Sequence, residues 1–208
     1  IAWFYGLLFP VQRLVFRRAF GRIAGRLALP VGARVLDIGC GTGAWLSVLL
    51  QMGFQAQAVD ASPRMVEAAR RLLRGLRPAV GAGRVRVGNA LAGLDFPDRS
   101  FDLVLAAHVI HGVPPLERSR FYREASRLSR GLVLLHDYSP RPARHPGFVA
   151  RVLEALERSD YRRFRRSGLR ELRRAFAEVE VIPAAPGSAW YVCRFPGSRR
   201  GKNIGTRA

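Results

Sequence analysis

Residues 35–45 read VLDIGCGTGAW: an apolar run broken by one aspartate, glycines at positions 39, 41 and 43, then the start of an apolar segment of helical character. The β-branched start is strand-like, and glycine lets the chain turn through backbone conformations that other residues avoid. A strand that turns through glycine into a helix brings a ligand close to the backbone at the helix N-terminus. The stretch therefore predicts a nucleotide-like cofactor at the carboxyl end of the first strand of an α/β sheet.

The flanking sequence supplies the rest of such a sheet. Short β-branched runs at Arg34–Gly39, Gln55–Asp60, Arg84–Asn89, Phe101–Ala107 and Gly131–Asp137 alternate with helical patterns at Ala44–Met52, Pro63–Leu76 and Leu116–Ser129. Ser62-Pro63 is a helix start, a capping serine followed by proline at the first helical position. Alternation of this kind predicts a parallel sheet with helices on both faces. After a helical stretch at Pro146–Ala177, with a break expected near Gly168, two strands follow closely at Glu178–Pro183 and Ala189–Phe195. The short Ala184–Ser188 connection cannot make a parallel crossover, so the last strand must be antiparallel. The expected fold is Rossmann-like α/β with seven strands, mostly parallel, the last antiparallel. Residues 1–30 form a helical lid, 31–195 the main domain with a helical insert at about 141–177, and 196–208 a frayed, arginine-rich tail.

The totals narrow the class. At 208 residues, the chain can bury the core of one domain, and two cysteines are too few for a disulfide scaffold, so a reducing, cytoplasmic setting is expected. The first apolar run, Ile1–Val11, contains Gly6 and Pro10 and lacks the leading basic residues of a secretion signal. Net charge is +20, and a single lysine stands among 35 basic residues, a bias that reads partly as codon usage. Residues 1–30 and 141–208 carry three quarters of that excess, so an anionic partner would meet the flanks.

Two features decide which cofactor the loop suits. GCGTGA (39–44) also passes for a nicotinamide-dinucleotide fingerprint, which keeps an NAD-dependent oxidoreductase as an alternative. Asp37, however, stands inside the strand two residues before Gly39, where a pyrophosphate gains nothing and an α-ammonium group gains a partner. The terminal antiparallel strand is also foreign to the usual dinucleotide sheet. VLDIGCGTG (35–43) matches the first motif of the class I S-adenosylmethionine-dependent methyltransferases residue for residue, and AVDASPRMVEAAR (58–70) resembles their second. VRVGNALAGLDFPDRSFDLVLAAHVIHGV (85–113) resembles their adenine-recognition stretch and fourth strand. The chain thus resembles that family over about residues 34–138, nearest to small-molecule and quinone C-methyltransferases of the ubiquinone/menaquinone type.

The resemblance implies S-adenosyl-L-methionine as cofactor. It would be held along Asp37, Gly39, Cys40, Gly41 and Gly43, by Asp60 and Ala61 at the ribose, by Asn89 and Ala90 at the adenine, and beside Ala107. Asn89 departs from the aspartate of many relatives, leaving an amide oxygen to accept the adenine amino hydrogen without charge assistance. Ala107-His108 also departs from the Asn/Asp-Pro-Pro-aromatic signature of enzymes that methylate exocyclic amines. The acceptor expected is a small or lipid-like molecule; an RNA methyltransferase and a non-catalytic adenosylmethionine-binding protein are the alternatives.

Candidate catalytic residues are His108 after strand four, Asp137 at the end of strand five, and Tyr5, where relatives carry a tyrosine over the cofactor. His108 suits a general base, or packs at the cofactor's edge; His111 reads as structural. No metal site is expected, because no second carboxylate ends strand four. Arg13, Arg17, Arg18, Arg22 and Arg26 make a basic stripe on an otherwise apolar helix. With Arg162-Arg163-Phe164-Arg165-Arg166 it reads as solvated surface, as a helix for an anionic membrane, or, third, as an RNA-binding patch. The expected protein is a monomer or dimer, cytoplasmic or peripheral to the membrane.

Overall fold

Seven strands form one sheet in the computed structural model, which describes residues 9–76, 82–141 and 161–195. They are β1 (Arg34–Ile38), β2 (Gln55–Asp60), β3 (Val85–Val87), β4 (Leu103–Ala107), β5 (Leu132–Tyr138), β6 (Glu178–Ala185) and β7 (Ser188–Arg194). The helices are α1 (Phe9–Leu27), α2 (Ala44–Gln51), α3 (Pro63–Arg74), α4 (Arg118–Leu128) and α5 (Tyr161–Ala175). Strand order is β3-β2-β1-β4-β5-β7-β6. All neighbours run parallel except β7, which is antiparallel to both β5 and β6. The β6–β7 connection is only Pro186-Gly187, with Gly187 at φ +84°, the proline-then-glycine order of a type II turn.

Alternation along the strands sorts their side chains onto two faces. Val35, Leu105, Leu134 and Trp190 meet α1, α2 and α3 on one face. Leu36, Val104, Leu135 and Tyr191 meet α4 and α5 on the other. Asp37 and His136, two residues on from Val35 and Leu134, share the first face. At the head of α3, the Ser62 hydroxyl accepts from Met65 N at 3.4 Å, with Pro63 in the first turn, as the sequence signal implies.

Two expectations change. Helix α5 runs unbroken through Gly168, because Phe164 folds back over that position: a Cβ there would lie 2.5 Å from the Phe164 ring. Glycine here makes room for an aromatic ring one turn earlier. The arginine stripe on α1 is also incomplete. Arg17, Arg18, Arg22 and Arg26 are exposed, but Arg13 falls near the inward side of the turn. Its Nε is buried and its guanidinium lies 5.8 Å from the Phe9 ring centre.

Candidate active site

The glycine loop joins β1 to α2 at the point where strand order reverses between β1 and β4, the crevice position of doubly wound sheets. Gly39 N and Cys40 N both donate to Val59 O, at 2.8 and 3.0 Å, which ties the loop to β2. Gly39 and Gly43 sit at φ +74° and +76°. A Cβ on Gly39 would lie 2.4 Å from Val109, and one on Gly43 3.1 Å from Leu73, so conformation and space both require glycine. Gly43 caps α2 without any side-chain hydrogen bond, which leaves the first-turn N–H groups facing the loop.

Three acids and amides surround this loop. Asp60 accepts from Gly41 N through Oδ2 and from Ser62 N through Oδ1, both at 2.9 Å. A carboxylate has about four acceptor positions, so two remain for a ligand. Ala61 beside it is exposed. Asn89, also exposed, accepts from Leu91 N at 2.9 Å, and Ala90 next to it is buried. Asp37 stands apart: it is 1% exposed, and neither carboxylate oxygen has a hydrogen-bond partner. Burial, and secondly the charge of Asp60, pushes its carboxyl up to about 8. An acid in this state lacks a cationic partner. Cys40 is buried as well, and burial together with Asp37 and Asp60 raises its thiol far above its ordinary value, so it is an inert filler of the loop.

The carboxyl ends of β4 and β5 bring four further groups together. Ala107, half-buried, ends β4; the exposed His108 follows at φ +56°, its N donating to His136 O at 2.7 Å. A non-glycine residue in the left-handed region is strained, and strain of this kind gathers at functional sites. The His108 ring centre lies 4.7 Å from that of His136 and 6.3 Å from that of His111.

Asp137 requires a correction as a candidate base. Oδ2 accepts from Ile110 N and His111 N at 3.0 and 3.2 Å, while Oδ1 accepts from Tyr138 N at 2.7 Å and pairs with His111 Nδ1 at 2.8 Å. Although burial alone would raise it, the His111 hydrogen bond and the nearby histidines hold its carboxyl below the ordinary value. Its lone pairs are spent, three of the four bonds going to the turn after β4, so it positions that turn. Among the described residues, His108, His111 and Asp137 also bring ligand-type atoms within 4.8 Å of one another, a grouping the sequence spacing did not suggest. Tyr5 lies outside the described residues.

His136, at the end of β5, has surroundings that its apolar strand does not signal. It is 7% exposed, stacked on Trp190 with ring centres 4.3 Å apart, and neither ring nitrogen has a hydrogen-bond partner. Burial first, then His108, depresses its pKa to about 3, so it is neutral throughout the physiological range. Trp45, the second residue of α2, faces it edge-on at 6.4 Å with an indole Nε1 that is buried and unpartnered too. Helix α1 covers this corner: Phe16 stacks on Trp45 at 4.5 Å, and the Thr42 hydroxyl donates to Gln12 Oε1 at 3.1 Å. A groove of about 1040 Å³ runs along α4 and α5 on the opposite face of the sheet and meets this site only near Ala90. Its Arg118 and Arg127 are engaged by Glu171 and Glu124, at 3.3 and 2.7 Å.

Comparison with known proteins bears on this arrangement directly. Residues 35–131 match a family described as "Methyltransferase domain". Over these residues the chain is similar to a methyltransferase domain. It is 30% identical over 139 residues to the 2-methyl-6-phytyl-1,4-hydroquinone methyltransferase of Synechocystis sp., covering 65% of this chain and 42% of that protein. It is 40% identical over 93 residues to the ubiquinone biosynthesis O-methyltransferase of Xanthomonas campestris pv. campestris, covering 44% and 37% respectively. The chain therefore spans about two fifths of the length of these relatives. A SAM dependent methyltransferase from Aquifex aeolicus shares the fold with TM-score 0.60 and 19% identity, over 83% of this chain and 87% of that one. The methyltransferase match begins at the second residue of β1 and ends just before β5, so it spans the glycine loop, Asp60, Asn89 and the turn carrying His108.

Proposed function

We propose that this chain is an S-adenosylmethionine-dependent methyltransferase acting on a small, lipophilic aromatic acceptor related to the quinones. The observation that carries the cofactor is Asp37: a buried, unpartnered carboxylate beside the glycine loop suits the α-ammonium of adenosylmethionine and has no counterpart on a pyrophosphate. Asp60 would accept from the two ribose hydroxyls with its remaining lone pairs. Asn89 has one amide-oxygen lone pair beyond the one given to Leu91 N, enough for the adenine amino group. When bound, the cofactor supplies a methyl group already activated on a sulfonium. The protein's task is then alignment and exclusion of water, with a base only where the acceptor is protonated. His108 stands at the mouth of the site for that role, its strained backbone held by the bond to His136 O.

The acceptor class rests on the two quinone-related relatives, on the aromatic lining formed by Trp45, Trp190 and Phe16, and on α1. There, Val11, Leu14 and Val15 are 59%, 51% and 53% exposed on the same side as Arg18 and Arg22. An apolar patch edged by arginines suits the surface of an anionic membrane, from which a lipophilic acceptor would enter under α1 as a lid. No helix among the described residues is long and apolar enough to cross a membrane. Thermal denaturation tests the cofactor: S-adenosylmethionine and S-adenosylhomocysteine raise the midpoint, by about 2.7 kcal/mol of stabilisation at a hundredfold excess over Kd, and NAD does not. A shift with NAD alone would overturn the reading. Transfer of radiolabelled methyl to extracted quinones, offered both oxidised and reduced, against RNA, then tests the acceptor.

A further inference from the structure

Two buried polar groups have no use in the chemistry above: the indole N–H of Trp45 and the imidazole of His136. Both side chains are more than nine-tenths buried, and none of their three nitrogens has a hydrogen-bond partner. Buried polar groups left in this state call for a partner that is absent, either an ordered water or a ligand atom. The two rings belong to one cluster, with centres 6.4 Å apart and planes at 76°. Trp45 follows the glycine loop directly, and His136 ends β5 beside the exposed His108. The cluster thus lies between the cofactor loop and the mouth of the site.

The chemistry of the pair selects its ligand. Indole nitrogen only donates, whereas a neutral imidazole has one nitrogen that accepts. A carboxylate or quinone carbonyl would satisfy Trp45 and leave the accepting nitrogen empty; an ammonium would do the reverse. A hydroxyl does both, accepting from one group and donating to the other. The walls are aromatic: Trp190 stacks on His136 at 4.3 Å and meets Trp45 at 5.6 Å, and Phe16 covers the other side of Trp45. Flat rings pack well among such neighbours.

We propose that Trp45 and His136 form the binding site for a hydroxyl carried on an aromatic ring, Trp45 donating to its oxygen and His136 accepting its proton. The inference rests on the methyl-transfer reading and names the form of acceptor taken: the hydroquinone or catechol, and not the oxidised quinone. In the transfer, the O–H bond breaks as its proton moves along the hydrogen bond to His136, which hands it on to His108 without holding it. The acceptor's electron pair meanwhile forms its bond to the methyl carbon. The S–CH₃ bond breaks with its electron pair returning to sulfur. The proton then passes by His108 to solvent, and the products are the methylated acceptor, the thioether and one proton.

The test uses the full chain saturated with S-adenosylhomocysteine, with imidazole ¹⁵N-labelled. Adding catechol should move the His136 ring resonances, while the corresponding quinone should not. In turnover with S-adenosylmethionine, His136→Phe keeps the stack on Trp190 but has no nitrogen. It should slow methylation of catechol by about a hundredfold or more, the usual contribution of a positioned base. Nitrocatechol, already ionised at neutral pH, should slow by less than about tenfold, and Trp45→Phe should weaken catechol binding with S-adenosylhomocysteine affinity kept. Resonances unmoved by catechol while the wild type methylates it would assign the pair to an ordered water and overturn the site, leaving methyl transfer intact. Equal slowing of both acceptors would also overturn it. Resonances that move in a protein that methylates nothing would keep the site and overturn the methyl-transfer reading.

Discussion

Cofactor binding should release close to one proton per molecule at pH 7. Asp37, buried with neither oxygen bonded, has its carboxyl raised to about 8, so in the ligand-free chain it is about nine-tenths protonated at neutral pH. S-adenosylhomocysteine brings an ammonium that stays charged there, and a buried carboxylate next to it returns toward its ordinary value near ~4. The shift of about four pH units corresponds to roughly 5 kcal/mol of interaction between the two charges. At pH 7, about 0.9 proton should leave for each ligand bound, and affinity should rise nearly tenfold from pH 6 to pH 7, then level off above pH 8. Titration calorimetry in phosphate, HEPES and Tris reads the proton count as the slope of observed enthalpy against buffer ionisation enthalpy. Asp37→Asn should abolish the slope and weaken binding. A slope of zero in the wild type, or one that survives in Asp37→Asn, would refute the assignment of Asp37 to the ammonium. The same shift acts on folding with a fixed sign. Because the folded value lies above the unfolded one, Asp37 contributes most below about pH 4, and its contribution is lost as pH rises toward 8. Asp37→Asn should remove that decline, as read from urea denaturation across the range.

Other perturbations have equally definite outcomes. Asp60→Ala should weaken S-adenosylhomocysteine binding by about 1–3 kcal/mol, measured by calorimetry, since both ribose hydroxyls lose a charged acceptor. Asp137→Asn should lower stability to urea by about 3 kcal/mol while leaving cofactor affinity nearly unchanged, because three of its four hydrogen bonds hold the turn after β4. His136 works in the opposite direction to Asp37: its folded pKa of about 3 lies below the unfolded value, so stability is full above about pH 6.5 and falls with pH toward 3. His136→Phe should flatten that acid limb. Replacing Arg17, Arg18 and Arg22 with glutamine should reduce flotation with anionic vesicles by about 3 kcal/mol, and added salt should do the same to the wild type. Equal flotation of variant and wild type would place the membrane contact elsewhere.

The glycine loop, the seven strands and the reversed last strand were legible because each is a local rule: glycine where φ is positive, alternation of period two, a connection too short to cross over. What escaped the sequence depends on neighbours distant in the chain or on helix phase. His136 sits within an apolar strand and gains its character only from Trp190 and Trp45, brought in by a hairpin and by α2. Asp137 reads as a base until the N–H groups of Ile110 and His111 are seen to converge on it. Arg13 belongs to the stripe by spacing, yet the phase of α1 turns it inward onto Phe9. Gly168 resembles a helix breaker, and only the side-chain direction of Phe164 shows why a residue without a Cβ stands there.

The strand order has a consequence for how such a protein diversifies. Apart from Ala107 at the end of β4, the groups expected at the cofactor, Asp37 through Ala90, lie on or just after β1, β2 and β3 on one side of the switch point, in one run of chain. Most groups proposed to face the acceptor, His108, His136 and Trp190, come from the ends of β4, β5 and β7 on the other side, in a later run. Beyond the ladder between β1 and β4, the two halves touch at Trp45 and where Val109 packs over Gly39. On the proposed function, substitutions in the later run would change the acceptor while the earlier run went on holding the same methyl donor. The two halves are free to change at different rates, provided the seam at Trp45 and Val109 changes in step.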